Sequence, residues 1–293
     1  MAKIINGAEI SKQILQEVAD EIIKFKQIGI PGVAVVQIGD RVDSNVYVSK
    51  KCSACKRVGM NSVIHKLEET CTNNDVCQLI ELLNTNSEIH GILVQLPLPS
   101  HLNEEKILSK ISYLKDVDGF HARNIGNLAM ECRSPKFIPC TPLGCLELLK
   151  REKIEIKGKH AVIIGKSNIV GLPMALILMK ELATVTVCHK DTVDIQKHTK
   201  MADILISACG QAEMIKKEWL KEGVIVIDVG INSIPDTSKT KGYRLVGDID
   251  FNDVKDITSA ITPVPGGVGP MTVAMLIKNT LEGFKNSINN IIA

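Results

Sequence analysis

Tyr47 and Lys51 stand four residues apart in the stretch SNVYVSKKCSACKRVG, residues 44–59. On a helix that spacing puts a phenol and an amine on one face. A phenol can stack on a flat ligand and an amine can move a proton, whereas the plain reading is a solvated basic face with a half-buried tyrosine. Cys52 and Cys55 have the spacing of a metal or redox pair, but no second pair with ligand spacing follows. Small thiols and no metal are the expectation. Gln95 ends the apolar run GILVQ (91–95), where a buried parallel strand leaves the core at its carboxyl end. Open α/β sheets bind ligands at that edge.

Asp116 and Asp118 share the turn KDVDG (115–119). Two carboxylates supply too few oxygens for a hard cation, and an Asx-type turn is the plain reading. GKSNIVGLP (165–173) joins an apolar strand pattern to a helical one. Its glycines are not spaced as G-x-G-x-x-G, yet Gly165 permits a tight turn, Gly171 permits close packing, and the helix N-terminus can receive a phosphate. An NAD site places an acid at the end of the next strand. Here that end reads Cys188-His189-Lys190, and with Lys166 it offers two ammonium groups suited to a 2′-phosphate. NADP is favoured, while the adjacent Asp191 leaves NAD open. Finally, ITPVPGGVGPMT (261–272) packs three prolines and three glycines into ten residues. Such a loop, with a cis peptide as one option, lets main chain approach a flat ligand closely.

The elements that must position these groups alternate. Residues 8–28 form an amphipathic helical pattern, and the Tyr47 helix opens at a Ser44 or Asn45 cap and closes at Gly59. Val33–Ile38, Asn61–Leu67 and Gly91–Gln95 read as strands, with a helix near Asp75–Leu83. Thr141-Pro142 opens a helix through Lys150, and strands follow at His160–Ile164, Thr184–Cys188, Asp203–Ser207 and Val224–Val229. A helix from Gly171 through Leu182 and an apolar helix over Val273–Phe284 complete the pattern. The fold class is therefore α/β, with two α/β domains, the second a Rossmann-like doubly wound parallel sheet.

The 293 residues suffice for about two domains, and 35 basic against 33 acidic side chains leave a charge of +2. That balance, with aromatics at 3%, argues against nucleic acid and for small-molecule partners. No apolar run is long enough to span a bilayer and the first residues lack a signal-peptide layout. Nine cysteines, an odd number, suggest free thiols in a reducing compartment, so a cytoplasmic location is expected.

YVSKK (47–51), VQLPLP (94–99), KDVDGF (115–120), GKSNIVGLP (165–173) and residues 262–275 occur in one order that covers nearly the whole chain. In them the sequence resembles the bifunctional methylenetetrahydrofolate dehydrogenase/methenyltetrahydrofolate cyclohydrolases. The resemblance implies a folate-binding catalytic domain over 1–140, completed by a C-terminal helix over 271–293, and an NADP-binding domain over 141–270, with a cleft between them. It implies oxidation of 5,10-methylenetetrahydrofolate with NADP, then hydrolysis to 10-formyltetrahydrofolate, in one-carbon metabolism. It also implies a homodimer, tetrahydrofolate derivatives as partners, and no fused formyl-ligase domain.

By the same resemblance Tyr47 stacks on or positions the folate and Lys51 serves the hydrolytic step. The methenyl cation disfavours a second positive charge beside it, and a neutral amine could assist attack by water. Gln95 hydrogen-bonds that lysine, with Val94 and Leu96 beside it, and Asp118 grips the amino-pyrimidine edge of the pterin. Pro265, Gly266, Gly267, Val268, Gly269 and Pro270 line the ligand, while Gly165, Lys166, Ser167, His189, Lys190 and Ile231 contact the cofactor. Many relatives have arginine where Lys166 stands and serine where Lys190 stands. Three readings compete with this one: a relative that is only a dehydrogenase, an NADP dehydrogenase of a small acid, and a non-catalytic folate- or nucleotide-binding protein.

Overall fold

The computed structural model describes residues 2–239 and 242–292. Strand β1 (Lys3–Ile4) and helix α1 (Gly7–Lys24) lead to β2 (Gly32–Ile38), α2 (Val42–Val58), β3 (Asn61–Leu67), α3 (Asn73–Thr85) and β4 (Gly91–Val94). Short helices α4 (Glu104–Leu108) and α5 (Ala122–Ala129) precede α6 (Cys140–Arg151). The chain continues through β5 (His160–Ile164), α7 (Gly171–Lys180), β6 (Thr184–Cys188), α8 (Ile195–Thr199), β7 (Ile204–Ser207) and β8 (Ile225–Asp228). An antiparallel hairpin, β9 (Asn232–Pro235) with β10 (Tyr243–Val246), is followed by α9 (Phe251–Val254), β11 (Ala260–Ile261) and α10 (Val268–Ile292). None of the helices among the described residues is long and apolar enough to cross a membrane.

The chain divides into two compact units, one holding the segment up to Ser11 with Thr141–Thr272, the other Lys12–Cys140 with the segment from Val273 on. In the second, β3-β2-β4 form a parallel sheet with β2 at its centre. Every residue of β2 and β4 is buried, and apart from Gln37 both runs are apolar. Val76, Cys77, Ile80 and Leu83 of α3 recur at helical spacing and close over Ala34, Val36, Ile92 and Val94. Each such side chain removed from water contributes roughly 1.5–3 kcal/mol. Thr72 caps α3 reciprocally with Asp75 and so starts it at a defined residue.

In the other unit a six-stranded, all-parallel sheet runs β1-β11-β8-β7-β5-β6. The order reverses between β5 and β7, the arrangement of a doubly wound sheet. From sequence, residues 1–11 fall in the first half; here β1 pairs with β11, joining the six-stranded sheet. Two residues are too few to show a strand period, which is why the pattern misses this pairing.

Two helix starts also differ from the pattern. Helix α2 begins at Val42, ahead of Ser44 and Asn45, without a side-chain cap. The Asn45 amide is engaged instead, donating to Asp40 Oδ1 at 2.9 Å and accepting from Gln37 Nε2. The helix closes on Gly59 at φ +78°, as the glycine leads one to expect. Helix α10 begins at Val268, inside the Pro/Gly segment, so Val268, Gly269 and Pro270 are helical. Proline is well suited to a first helical turn, where its missing N–H has no partner to lose. Residue 293, the end of the expected C-terminal helix, lies outside the described residues.

Candidate active site

The order of the three-stranded sheet reverses between β2 and β4, and Gln95 is the first residue beyond β4. Its backbone N–H donates to Val36 O at 2.9 Å, anchoring it at the carboxyl edge. The side-chain amide has one orientation: Nε2 donates to Leu96 O at 2.7 Å, leaving Oε1 to accept from Lys51 Nζ at 2.9 Å. Helix α2 follows β2 directly and carries Lys51 over this edge, with the half-buried Tyr47 one turn earlier. Lys50 Nζ lies over the Tyr47 ring, 5.8 Å from its centre. Residues at i and i+3 share a face as well.

The two carboxylates of the 115–119 turn have different work. Asp116 takes the Asx role: it accepts from Phe120 N at 3.2 Å, His121 N at 2.8 Å and Asn124 Nδ2 at 2.7 Å. Burial pushes its carboxyl up to about 6 against the pull of those donors. Asn124 in turn accepts from Lys136 and Phe137 N–H, so the turn is tied to a second segment. Asp118 faces a different set of groups. Burial pushes it up to about 6, the Lys51 ammonium opposes that rise, the Asp116 charge adds to it, and a hydrogen bond from Cys140 opposes it again. Lys51 therefore links Gln95, by a hydrogen bond, to Asp118, by charge, and Tyr47 stands one turn earlier on α2.

Cys140 and Asn279 carry no obvious signal in the sequence, yet both hold this turn. Cys140 Sγ donates to Val117 O at 3.3 Å, and Asn279 Nδ2 donates to Val117 O at 2.8 Å and Ile138 O at 3.0 Å. A polar residue inside the apolar α10 pattern is the one clue. Val94 is buried in the core, so only its backbone can face a ligand; Leu96 is partly accessible. Leu96–Pro97 and Val264–Pro265 are cis. Cys52 and Cys55 belong to no group of three or more His, Cys, Asp or Glu among the described residues that could hold a metal ion, and burial pushes the Cys55 thiol up to about 12.

In the six-stranded unit, Gly165 lies where the strand order reverses, after β5. Its φ is +122°, and a Cβ there would lie 2.3 Å from Ala208 O beyond β7. A Cβ on Gly171 would lie 2.0 Å from Gly165 O. Both glycines are thus demanded by backbone approach, and they bring the 165–170 loop against the N-terminus of α7, a cradle for a phosphate. Ser167 Oγ accepts from Val170 N at 3.2 Å and shapes that loop.

Ile164 is in register with Cys188, so Lys166 and Lys190, each two residues further on, leave the sheet at the same level. Both are exposed. His189 N–H donates to Thr192 Oγ1 at 2.9 Å, closing the turn that presents Lys190. Ile231, 45% exposed, follows β8. Ahead of α10, Gly266 has φ +110° and its carbonyl accepts from Ala8 N at 2.8 Å. A Cβ on Gly7 would lie 1.9 Å from Gly267 O, so the Pro265–Gly267 backbone is pinned to the start of α1.

Comparison with known proteins gives a consistent result. Residues 5–118 match the family model "Tetrahydrofolate dehydrogenase/cyclohydrolase, catalytic domain", and residues 139–288 match its NAD(P)-binding domain. Bifunctional protein FolD 2 of Arabidopsis thaliana is 54% identical over 97% of this chain and 96% of its own length. Among solved structures, the bifunctional FolD methylenetetrahydrofolate dehydrogenase/cyclohydrolase of Campylobacter jejuni is 46% identical with a TM-score of 0.92, covering 98% of this chain and 99% of that one. The corresponding Trypanosoma brucei enzyme, solved with NADP cofactor and an inhibitor, is 40% identical with a TM-score of 0.94, covering 98% of each chain.

Proposed function

The chain belongs to the tetrahydrofolate dehydrogenase/cyclohydrolase family, and from that premise we propose how its two activities are divided among its residues. It is a bifunctional enzyme of folate one-carbon metabolism, oxidising 5,10-methylenetetrahydrofolate to 5,10-methenyltetrahydrofolate with NADP and hydrolysing that product to 10-formyltetrahydrofolate. NADP, when bound, accepts the hydride. Gly165 and Gly171 let the 165–170 loop close against the start of α7, and the NADP pyrophosphate would sit at that helix N-terminus. Lys166 and Lys190 take the 2′-phosphate, and Ser167, His189 and Ile231 complete the contacts.

The Lys51–Gln95 hydrogen bond at 2.9 Å, beside the Asp118 carboxyl, carries the assignment of the folate site. Asp118 accepts from the amino-pyrimidine edge of the pterin, and Tyr47 lies against the ring. Leu96 and the Val94 backbone supply further contacts. In hydrolysis, water adds its oxygen to the methenyl carbon and the Lys51 amine, held by Gln95 Oε1, takes the proton released. The bond from that carbon to N5 then breaks as the new hydroxyl gives up its proton to form the carbonyl, N5 receives a proton, and the formyl group stays on N10. The net yield is one proton per water consumed.

The domain roles follow: folate at the three-stranded unit, NADP at the six-stranded one. The nine free cysteines suit a reducing compartment, and we assign the enzyme to the cytoplasm. We also assign it a homodimeric state, supported by the free edge of β3 with Val63 and Ile64 more than 40% exposed. The purified chain, given methylenetetrahydrofolate and NADP, should form the methenyl chromophore and then consume it. Absence of either step removes the corresponding activity, and faster turnover with NAD reverses the cofactor assignment.

A further inference from the structure

Two carboxylates of the six-stranded unit take no part in the reaction above. Asp248 is completely buried and Asp228, at the end of β8, is 4% exposed. A buried carboxylate needs a full set of donors, and here nearly all of them are backbone. Asp228 Oδ1 accepts from Gly230 N and Asp248 N, and its Oδ2 from Ile249 N, each at 3.0 Å. Asp248 Oδ2 accepts from Ser207 Oγ at 3.1 Å, Cys209 N at 2.8 Å and Gly210 N at 3.2 Å. Its Oδ1 accepts from Gln211 N at 2.9 Å and Asn232 Nδ2 at 3.0 Å. A Cβ on Gly230 would fall 2.3 Å from Asp248 Oδ1, and one on Gly247 would fall 1.8 Å from Asp228 Oδ2. The glycines are what let the backbone close on both carboxyls.

The donors to Asp248 come from two loops at the ligand-binding edge. Ala208, whose carbonyl walls the glycine loop at Gly165, lies between Ser207 and Cys209, which both donate to one oxygen of Asp248. Ile231 lies between Gly230 and Asn232, one bonded to Asp228 and the other to Asp248. We propose that Asp248 is a positioning residue for dinucleotide binding, its buried carboxylate clamping the loop after β7 against the glycine loop and holding Ile231 in place after β8. This role rests on the cofactor reading given above.

The test is NADP affinity of the full chain without folate, by titration calorimetry, beside both activities. Asp248→Asn keeps size but turns an amide N–H toward backbone N–H donors. It should raise the NADP Kd and the NADP KM roughly 10- to 100-fold, the value of a hydrogen bond to a charged group. Hydrolysis of methenyltetrahydrofolate, which uses no cofactor, should stay within about twofold of wild type, a split that a general packing defect would not produce. Asn232→Ala leaves the Asp248 charge and its N–H donors intact and should raise the Kd by a smaller factor, about 3- to 10-fold. It also serves as the test should Asp248→Asn fail to fold. An unchanged Kd in the folded variants overturns the role, as does a parallel loss of hydrolysis. A wild-type chain that binds no NADP overturns the cofactor reading itself, and this role with it.

Discussion

Asp118 is held as a carboxylate at a cost, and replacing it should make the protein more stable and less able to bind folate. Raising a buried carboxyl from the ordinary 3.8 to about 6 penalises the folded state by on the order of 3 kcal/mol at neutral pH. The attraction of Lys51 is already contained in that value, and the side chain keeps some contact with solvent, so on the order of 1–3 kcal/mol is the expected gain for Asp118→Asn. For a chain of this size that corresponds to a rise in Tm of about 2–4 °C per kcal/mol.

The pH dependence has a definite sign. Between about pH 4 and pH 6 folded Asp118 holds a proton that the unfolded chain has already released, so stability falls as pH rises through that window. The advantage of the variant should therefore be small near pH 4, open between pH 4 and 6, and stay constant above. Thermal melts of both proteins across this range measure it, with folate affinity measured in parallel and expected to fall about 10- to 100-fold for loss of a charge-assisted pair. A variant less stable than wild type near pH 7.5, or equally advantaged at both ends of the range, refutes the picture of an energetically costly carboxylate kept for binding.

Lys51→Met should hydrolyse methenyltetrahydrofolate about 10²- to 10⁴-fold more slowly while retaining substantial NADP-dependent oxidation, so that the methenyl product accumulates in a coupled absorbance assay; full hydrolysis removes this amine from the mechanism. Lys56→Met, on an exposed part of α2, is the matched control, because Lys50 covers Tyr47. Lys190→Ala should cost roughly 1.5–3 kcal/mol of NADP binding and narrow the preference over NAD, read from the ratio of kcat/KM values; an unchanged ratio displaces the 2′-phosphate site from Lys190. Gly171→Ala puts a methyl group 2.0 Å from a backbone oxygen and should destabilise the fold by about 1–3 kcal/mol in denaturant melts, with weakened NADP binding.

Much of this arrangement is local in origin and therefore readable from the chain. The runs at 33–36, 91–94 and 161–164 are apolar because strands buried on both faces have no solvent side, and the Gly59 stop of α2 needs only a left-handed residue. The glycines at 165 and 171 and the lysines at 166 and 190 are what carry the phosphate-site proposal, since turn conformation and charge are properties of the residues themselves. Which of two carboxylates in one turn is structural is not such a property. Asp116 and Asp118 differ by what tertiary packing presents to them, three local donors for one and Lys51 with Cys140 for the other. The same holds for Lys50, for Asn279, and for β1, which becomes a strand only because β11 offers an open edge. Asp228 lies inside the 224–229 strand pattern, and nothing along the chain says that loops far apart in sequence converge on it and on Asp248. Hydrogen-bond partners beyond a few residues are set by topology, and a single side chain's type does not encode them.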